Sequence, residues 1–376
     1  MHVESPARTV AKPRAALALT RTPGARNIVE NKDHIRLGVG FYPDWWHQSY
    51  GLSFGRQYYH DPQYRVEVQA KMALALFERF GDVGLGSAQP EPRPLITYGM
   101  VMLPSIFGCE IVFEEGALPW AMPLNLSKED CGKLVKPDIM STPAMTEILG
   151  QIDFLKSKYG RVVGDVNVTG VQNLALKLRG DQLYIDYFED PEFAHRLLQF
   201  CTDCIQELWL AVYAITGTGA VDVTPMADPK VFVVPNCTVE QISGDTYEEF
   251  GLPYDRQLAL ACRPFGIHHC GSVDPVITQY AKLPNLVFVE AGFGSDFRAA
   301  RGVLGPEVAF NARISPVLMK NGSPEEVAAA VKDAIDQGAP LDNYSIDTVG
   351  LTFGTPDENV RAALNTAREY GRIGGR

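Results

Sequence analysis

The sequence predicts an α/β fold: a single (β/α)8 barrel of the TIM type, with an N-terminal extension and inserted loops. Short apolar segments alternate with longer segments of helical periodicity along most of the 376 residues. Hydrophobic residues make up 46% of the chain, which is enough for one large core. Because nothing marks a second domain boundary, we expect an N-terminal arm or helix over residues 1–30 and one barrel over residues 31–376.

Eight segments are predicted as strands because they are short, rich in apolar residues and bounded by turn residues. They are Arg36–Phe41, Asp82–Ser87, Val162–Val168, Ala220–Met226, Phe265–Cys270, Val287–Ala291, Val308–Ile314 and Tyr344–Val349. The segment Pro90–Pro123 is rich in proline, glycine and apolar residues, which indicates an inserted loop with short helices. The segment Lys230–Ser243 is also expected to be a loop.

The intervening helices are predicted from their periodicity and from their first and last residues. Tyr64–Phe80 has apolar residues at helical spacing. Asp190 precedes a proline, a typical helix start, and this helix is expected to run to about Ile215. Ser323 begins a capping box with proline at the first helical position, and Gly338 ends that helix.

Composition excludes several classes of partner. The net charge is −11 and the isoelectric point is about 5.2, which argues against nucleic acid and against anionic membranes. We find no apolar run long enough for a transmembrane helix. Seven cysteines are scattered without a regular framework, which favours reduced thiols and a cytoplasmic location.

The segment Phe265–Cys270 ends in residues that can bind a metal. His268 and Cys270 are two residues apart, and in a strand such residues point to the same face. An imidazole and a thiol that converge on one point suit zinc. The alternative is a buried cysteine beside a core histidine, since cysteine is among the most frequently buried residues.

Glu290 is the third candidate ligand. It lies 20 residues after Cys270 (290 − 270), within an apolar strand. A carboxylate in such a strand is costly unless it is paired or binds a metal. On adjacent strands, His268, Cys270 and Glu290 are expected to meet at one cation and to leave a fourth position open, as in catalytic zinc sites. The alternative for Glu290 is an ion pair with Arg313 or Lys320.

Further polar residues lie where predicted strands end, and a barrel presents its chemistry at those ends. They are Asn167, Asp222, Asp228, Asn311, Arg313 and Asp347. We assign catalytic roles to Asp222, Glu290 and Arg313, with Asp222 as an acid, a base or a substrate contact. Asn167 and Asn311 are expected to contact the cofactor. Asp228 is more plausibly a helix cap, because a proline follows it.

Many aromatic residues follow the first predicted strand, among them Trp45, Trp46 and Tyr58. So many rings in a loop region indicate a lid or the wall of a site for a flat ligand, so we expect Trp45 and Trp46 to contact the cofactor near the barrel mouth. The alternative is that these rings only pack at the surface. Cys201 and Cys204 form a C-x-x-C pair within a helix, where two packed thiols are the favoured interpretation.

Four motifs make the chain resemble the uroporphyrinogen decarboxylase superfamily over most of its length. They are Ser243–Tyr254 (SGDTYEEFGLPY), Ile267–Gly271 (IHHCG), Gly322–Val327 (GSPEEV) and Gly350–Asn359 (GLTFGTPDEN). The H-x-C-G element resembles one branch, the corrinoid-dependent methyltransferases of the methylcobalamin:coenzyme M type. True decarboxylases carry an early R-Q-A-G-R segment that holds the propionates of the porphyrinogen. The comparable region here, Phe41–Tyr50, contains no arginine, which argues against porphyrinogen decarboxylation.

The resemblance implies zinc as cofactor and a corrinoid protein as partner. In this branch the H-x-C pair usually binds zinc with a later cysteine that precedes the G-L-x-x-G-T-P element. Val349 stands at that position, so the third thiolate is expected to be missing and that corner of the site to be open. A related barrel family, the cobalamin-independent methionine synthases, uses His, Cys, Glu and Cys at similar spacing. That comparison implies Glu290 as the third ligand.

Together these features predict a cytoplasmic, zinc-dependent methyltransferase that moves a methyl group between a corrinoid protein and a small-molecule donor or a thiol acceptor. A single thiolate makes the site harder, which favours oxygen-bearing substrates and makes aromatic O-demethylation conceivable. One alternative is a decarboxylase or lyase acting on another carboxylated ring, with Asp222 or Asp228 as the acid and Arg313 on a carboxylate. Another is a non-catalytic binding protein that kept the fold.

Overall fold

The computed structural model describes residues 27–31, 33–164, 166, 168–219, 224 and 226–373, of which the side chains of 27–31 and 349 are outside the description. The strands are β1 Asn27–Asn31, β2 His34–Phe41, β3 Leu95–Ile96, β4 Ile111–Val112, β5 Trp120–Ala121, β6 Val163–Gly164, β7 Phe232–Pro235, β8 Phe265–His268, β9 Leu286–Ala291, β10 Ala309–Ile314 and β11 Tyr344–Leu351.

The α-helices alternate with these strands, as expected for an α/β fold. They are α1 Pro43–Tyr50, α2 Arg56–His60, α3 Pro62–Phe80, α4 Met102–Ile106, α5 Lys128–Cys131, α6 Pro143–Tyr159, α7 Val171–Arg179, α8 Gln182–Glu189, α9 Pro191–Thr216, α10 Gly244–Phe250, α11 Leu252–Ala261, α12 Ile277–Tyr280, α13 Phe297–Leu304, α14 Pro316–Asn321, α15 Pro324–Gly338 and α16 Asp357–Tyr370. In the described ranges, short 3-10 helices cover Gly81–Val83, Gly99–Val101, Ile139–Ser141 and Cys237–Gln241.

The predicted helix starts are confirmed by their caps. The Asp190 carboxylate accepts a hydrogen bond from the backbone N–H of Phe193, and α9 begins at the proline between them. Ser323 and Glu326 form the reciprocal bonds of a capping box at the start of α15. Each cap satisfies backbone donors that have no partner within the helix.

One seven-stranded sheet carries the site, in the order β1-β2-β11-β10-β9-β8-β7. Strand β1 pairs antiparallel with β2, and all the other pairs are parallel. The carboxyl ends of the parallel strands therefore lie along one edge, where barrel enzymes hold their chemistry. Residues 1–26 lie outside the described residues. The boundary expected at residue 30, between an N-terminal arm and the barrel, falls within β1. The division of the chain at that point stays a prediction.

The sheet corrects the predicted barrel in part. Among the described residues the strands do not close into a ring of eight: β3 pairs with β6 in a separate parallel sheet, and β4 with β5 in an antiparallel one. Strands β3 and β6 have two residues each, so they offer few backbone groups for pairing with the large sheet. The fold is an α/β fold that resembles the TIM barrel.

Two strand predictions need correction, and a third is largely untested. The segment predicted over Asp82–Ser87 forms part of a 3-10 helix and a turn instead of a strand. Strand β7 lies within a segment that was expected to be a loop. Most of the strand predicted over Ala220–Met226 falls outside the described residues. Within the described ranges, no helix is both long enough and apolar enough to cross a membrane.

Candidate metal centre

Three possible metal ligands converge at the carboxyl ends of β7 and β8. Cys237, His268 and Cys270 each offer one ligand atom, and these atoms all lie within 4.8 Å of one another. His268 Nε2 is 3.2 Å from Cys270 Sγ, and the two cysteine sulfurs are 2.9 Å apart. His268 is 5% exposed, and both cysteines are partly exposed. The cluster is therefore shielded but open to a small ligand.

Parallel pairing of β7 with β8 brings Cys237 to the histidine. Pro235, the last residue of β7, pairs with His268. The next residue, Asn236, donates its backbone N–H to the His268 carbonyl oxygen at 2.8 Å. The Asn236 side chain in turn donates to the buried Asp255 carboxylate at 2.6 Å. These two bonds fix the chain where Cys237 begins a 3-10 helix.

The backbone of Cys270 is held by close packing. A side chain on Gly292 would overlap the Cys270 carbonyl oxygen, so only glycine fits at this point of the turn after β9. His269 lies between His268, the last residue of β8, and Cys270, and its ring faces the other way, with Nδ1 2.8 Å from the Tyr280 hydroxyl. Strand alternation thus separates a core histidine from a site histidine.

Glu290 lies behind the histidine, not beside the sulfurs. Its Oε1 is 2.9 Å from His268 Nδ1, whereas Nε2 of the same ring faces Cys270. Arg313 Nε lies 3.5 Å from the same carboxylate oxygen. The structure thus places Glu290, which is fully buried and pairs with both basic side chains, outside the cluster of Cys237, His268 and Cys270. The ion pair with Arg313 was the alternative drawn from the sequence.

The three clustered groups have perturbed pKa values. Donation from the Cys237 thiol and the charge of His268 lower the pKa of Cys270 to about 3, against the opposing effect of burial. The same hydrogen bond, together with burial, raises the pKa of Cys237 well above its usual value. Burial lowers the pKa of His268, but the charges of Glu290 and Cys270 outweigh it and raise that pKa to about 9. Without metal, the directions of these pKa shifts favour a thiolate at Cys270, a thiol at Cys237 and an imidazolium at His268.

The donor set fits zinc. Two thiolates and one imidazole are soft to borderline ligands, and zinc commonly takes Cys and His together. Three such donors around tetrahedral zinc, at bond lengths of about 2.0–2.3 Å, stand roughly 3.5–3.8 Å apart. The observed separations of 2.9 and 3.2 Å need only a small opening to reach that spacing. Glu290 on Nδ1 is the carboxylate partner that metal-binding histidines usually have.

The predicted aromatic wall is a core cluster instead. Trp45 and Trp46 lie on α1 and are each 1% exposed. Both rings contact Phe41 and Tyr50. Rings packed on one another in this way bury a large apolar area and have no free face for a flat ligand. We therefore reassign both tryptophans to the core.

The remaining predicted residues fall into two groups. Asn167 and Asp222 lie outside the described residues, as does the side chain of Val349, so their predicted roles are proposals only. Asn311 is fully buried on β10, and its Oδ1 accepts a hydrogen bond from the Ser345 hydroxyl at 2.8 Å. Cys201 and Cys204, the C-x-x-C pair, are both buried in helix α9, in agreement with the packed-thiol interpretation.

Cys237 is the residue that sequence reasoning missed. The resemblance places the third thiolate at position 349, near the end of the last strand, where this chain has a valine that cannot bind metal. The structure supplies a second cysteine from the loop after β7. The signal was present in the sequence, since the apolar run FVVP followed by Asn236 is a strand that ends in polar residues.

Comparison with known proteins identifies the family of the chain. Residues 94–370 match the family described as uroporphyrinogen decarboxylase (URO-D). The chain belongs to this family. Its predicted resemblance to the corrinoid-dependent methyltransferase branch is confirmed by the relatives below.

Two of these relatives come from Methanosarcina mazei. The chain is 26% identical over 251 residues to its methylcobamide:CoM methyltransferase MtbA, covering 64% of this chain and 68% of the relative. It is 24% identical over 322 residues to its methylated-thiol–coenzyme M methyltransferase, covering 81% and 77%. A solved structure of a methyltransferase from Methanosarcina mazei aligns with a TM-score of 0.62 at 18% identity, covering 91% of this chain and 95% of the other, and so shows the shared fold. The relatives support an enzyme of the methyltransferase kind.

Proposed function

We propose that this chain is a zinc-dependent methyltransferase that moves a methyl group between a corrinoid protein and a small thiol. The observation that carries the proposal is the convergence of Cys237, His268 and Cys270 within 4.8 Å. The curated relatives support it through their printed activities, which are methyl transfers to coenzyme M from a methylcobamide or a methylated thiol. The corrinoid protein, the metal and the acceptor are parts of the proposal.

The sequence favours oxygen-bearing donors only if the metal has a single thiolate ligand. With Cys237 beside Cys270 the donor set is softer, and soft donors suit a site that receives sulfur. We therefore favour a thiol as the small-molecule partner over aromatic O-demethylation. The burial of Trp45 and Trp46 removes the other support for an aromatic substrate.

The residues at the metal centre each have a distinct part in this chemistry. Cys270 enters as a thiolate, while His268 and Cys237 release their protons when the metal binds. Glu290 accepts from Nδ1 of His268 and so leaves Nε2 for the metal. Zinc held there would supply Lewis acidity that lowers the pKa of a thiol substrate. With three protein ligands, a tetrahedral ion keeps one position for that substrate.

The first test is metal content and methyl transfer in matched variants. Zinc is measured in protein purified without added metal, and demethylation of methylcobalamin by added thiols is followed by absorbance. We expect about one zinc per chain in the wild type and in Cys131→Ala, a thiol outside the cluster, and a large loss in Cys237→Ser and Cys270→Ser. Wild-type protein that holds no zinc and leaves methylcobalamin intact would refute the proposal and would favour the decarboxylase or binding-protein alternatives.

A further inference from the structure

Cys237 and Cys270 differ from the other cysteines of the chain in their exposure. All seven cysteines lie within the described residues, and all are free thiols. Cys237 and Cys270 are partly exposed, whereas the other five are buried. An oxidant that arrives from solution therefore reaches these two sulfurs before the others, because oxidation of cysteine depends on access.

The two exposed sulfurs are already in contact with each other. Their separation is 2.9 Å, and the sulfurs of a disulfide are about 2.05 Å apart. Forming that bond brings them closer by only about 0.9 Å (2.9 − 2.05). Cysteines that sense oxidants are typically accessible and have a second thiol beside them that completes a disulfide. The arrangement of Cys237 and Cys270 has both properties.

The backbone around Cys237 is clamped by Asn173 of helix α7. The Asn173 amide donates to the Pro235 carbonyl oxygen at 2.9 Å, and its Oδ1 accepts from the backbone N–H of Thr238 at 3.2 Å. One side chain therefore ties together the residues on both sides of Cys237. The sulfur of this cysteine is thus held at the position where it meets Cys270.

A second contact joins the two segments beyond the sulfurs. Glu240 lies in the 3-10 helix that begins at Cys237, and it packs against Gly271, the residue after Cys270. A Cβ atom added at Gly271 would lie 1.7 Å from Glu240 Oε2, so the side chain rests on the glycine backbone. These contacts are made by the chain itself. The pairing of the two sulfurs therefore does not depend on a metal.

We propose that Cys237 and Cys270 form a reversible disulfide when the protein meets a hydroperoxide. The Cys270 sulfur attacks one peroxide oxygen, and the O–O bond breaks to give a sulfenic acid. The proton that Cys270 shares with His268 Nε2, 3.2 Å away, passes to the leaving oxygen, which departs as an alcohol or as water. The Cys237 sulfur then attacks the sulfenic sulfur, and the hydroxyl group leaves with the Cys237 proton as a second water. The hydroperoxide gains the two electrons that the two thiols lose, and a dithiol reverses the bond by exchange.

The disulfide and the proposed zinc ion exclude each other. Zinc binds cysteine as a thiolate, and neither sulfur of a disulfide is a thiolate. Of the three clustered ligands the cross-linked chain keeps only His268, so oxidation should release the metal and reduction should restore its site. The loss of zinc rests on the proposed function, whereas the disulfide itself does not.

The direct test follows the thiols of the whole, metal-free chain in a few equivalents of hydrogen peroxide. Free thiols are alkylated after denaturation, and the peptides are mapped by mass spectrometry. We expect one cross-link, between Cys237 and Cys270, with the other five thiols alkylated and with full reversal by dithiothreitol. The control Cys131→Ala should cross-link like the wild type, and Cys237→Ser should stop at a sulfenic acid on Cys270 that dimedone traps. A wild type that forms no bond between these two residues, or one that links Cys201 to Cys204 equally fast, would overturn the proposal.

Zinc binding then separates this inference from the proposed function. Zinc affinity is measured by chelator competition on the reduced, the oxidised and the re-reduced protein. The oxidised protein should bind zinc at least about 100-fold more weakly, and reduction should restore the affinity. A cross-linked protein that binds zinc as tightly as the reduced one would remove both sulfurs from the metal site, which overturns the proposed function but leaves the disulfide standing. Tight zinc binding by a protein that forms no cross-link would have the opposite meaning.

Discussion

Zinc binding to this site should release about two protons near pH 7. The Cys237 thiol must lose its proton, and its pKa is raised well above the usual value. His268 must free Nε2, and with a pKa of about 9 it is almost fully protonated at pH 7. Cys270 is already a thiolate, since its pKa is lowered to about 3, and contributes none. A site that loses protons binds metal more tightly as the pH rises, so the apparent affinity should increase about 100-fold per pH unit between pH 6 and 8.

Calorimetric titration with zinc in buffers of different ionisation enthalpy gives the number of protons released. The expected value is about two for the wild type and for Cys131→Ala, and about one for Cys237→Ser, because serine brings no proton that zinc displaces. Chelator competition at three pH values gives the slope independently. Release of about one proton by the wild type, unchanged in Cys237→Ser, would place Cys237 outside the metal site and return that site to two protein ligands.

Three further predictions concern the surroundings of the cluster. Glu290→Gln removes a charge that raises the pKa of His268, so NMR should show this histidine titrating well below 9 in the metal-free protein, and an unchanged titration would contradict the contact. Gly292→Ala displaces the backbone of the site and should weaken zinc binding at least about tenfold. The control Gly302→Ala adds a methyl group that meets nothing within 4 Å and should leave zinc affinity unchanged. Equal zinc affinities in the two variants would refute the packing argument. Burial raises the pKa of Asp255 from 3.8 to about 6, so its folded form favours the proton, and the protein should lose about 2 kcal/mol of unfolding free energy from this group as the pH rises from 4 to 7. Urea unfolding across that range should show the loss in the wild type and not in Asp255→Asn, and a difference between the two proteins that stays constant with pH would be inconsistent with it.

Local rules were sufficient for the later part of the sheet. Strands β8 to β11 are apolar runs bounded by turn residues, and the helices between them carry proline and capping residues at their starts. Alternation then placed His268 and Cys270 on one face, and the structure brings their side chains to 3.2 Å. Features set by neighbours in sequence were thus predictable.

Features set by contacts distant in sequence were not. Trp45 and Trp46 read as loop residues, yet they form a helix and pack into the core, because Phe41 and Tyr50 surround them. Cys237 is 33 residues from Cys270 (270 − 237), and only the pairing of β7 with β8 brings them together. Motif spacing compares residues within one segment of the chain, so it does not detect two ligands that lie in separate segments.

Glu290 shows how register assigns a role that composition leaves open. A carboxylate in an apolar strand indicates a metal or an ion pair, and the sequence offered both. Pairing with His268 on one side and Asn311 on the other places the carboxylate between β8 and β10, outside the cluster of two sulfurs and one imidazole and in contact with two basic groups. It therefore orients the histidine while it retains the guanidinium of Arg313 beside the cluster. This one buried charge therefore links the histidine of the metal centre to the guanidinium. Replacing Glu290 should therefore weaken zinc binding through the histidine that it orients.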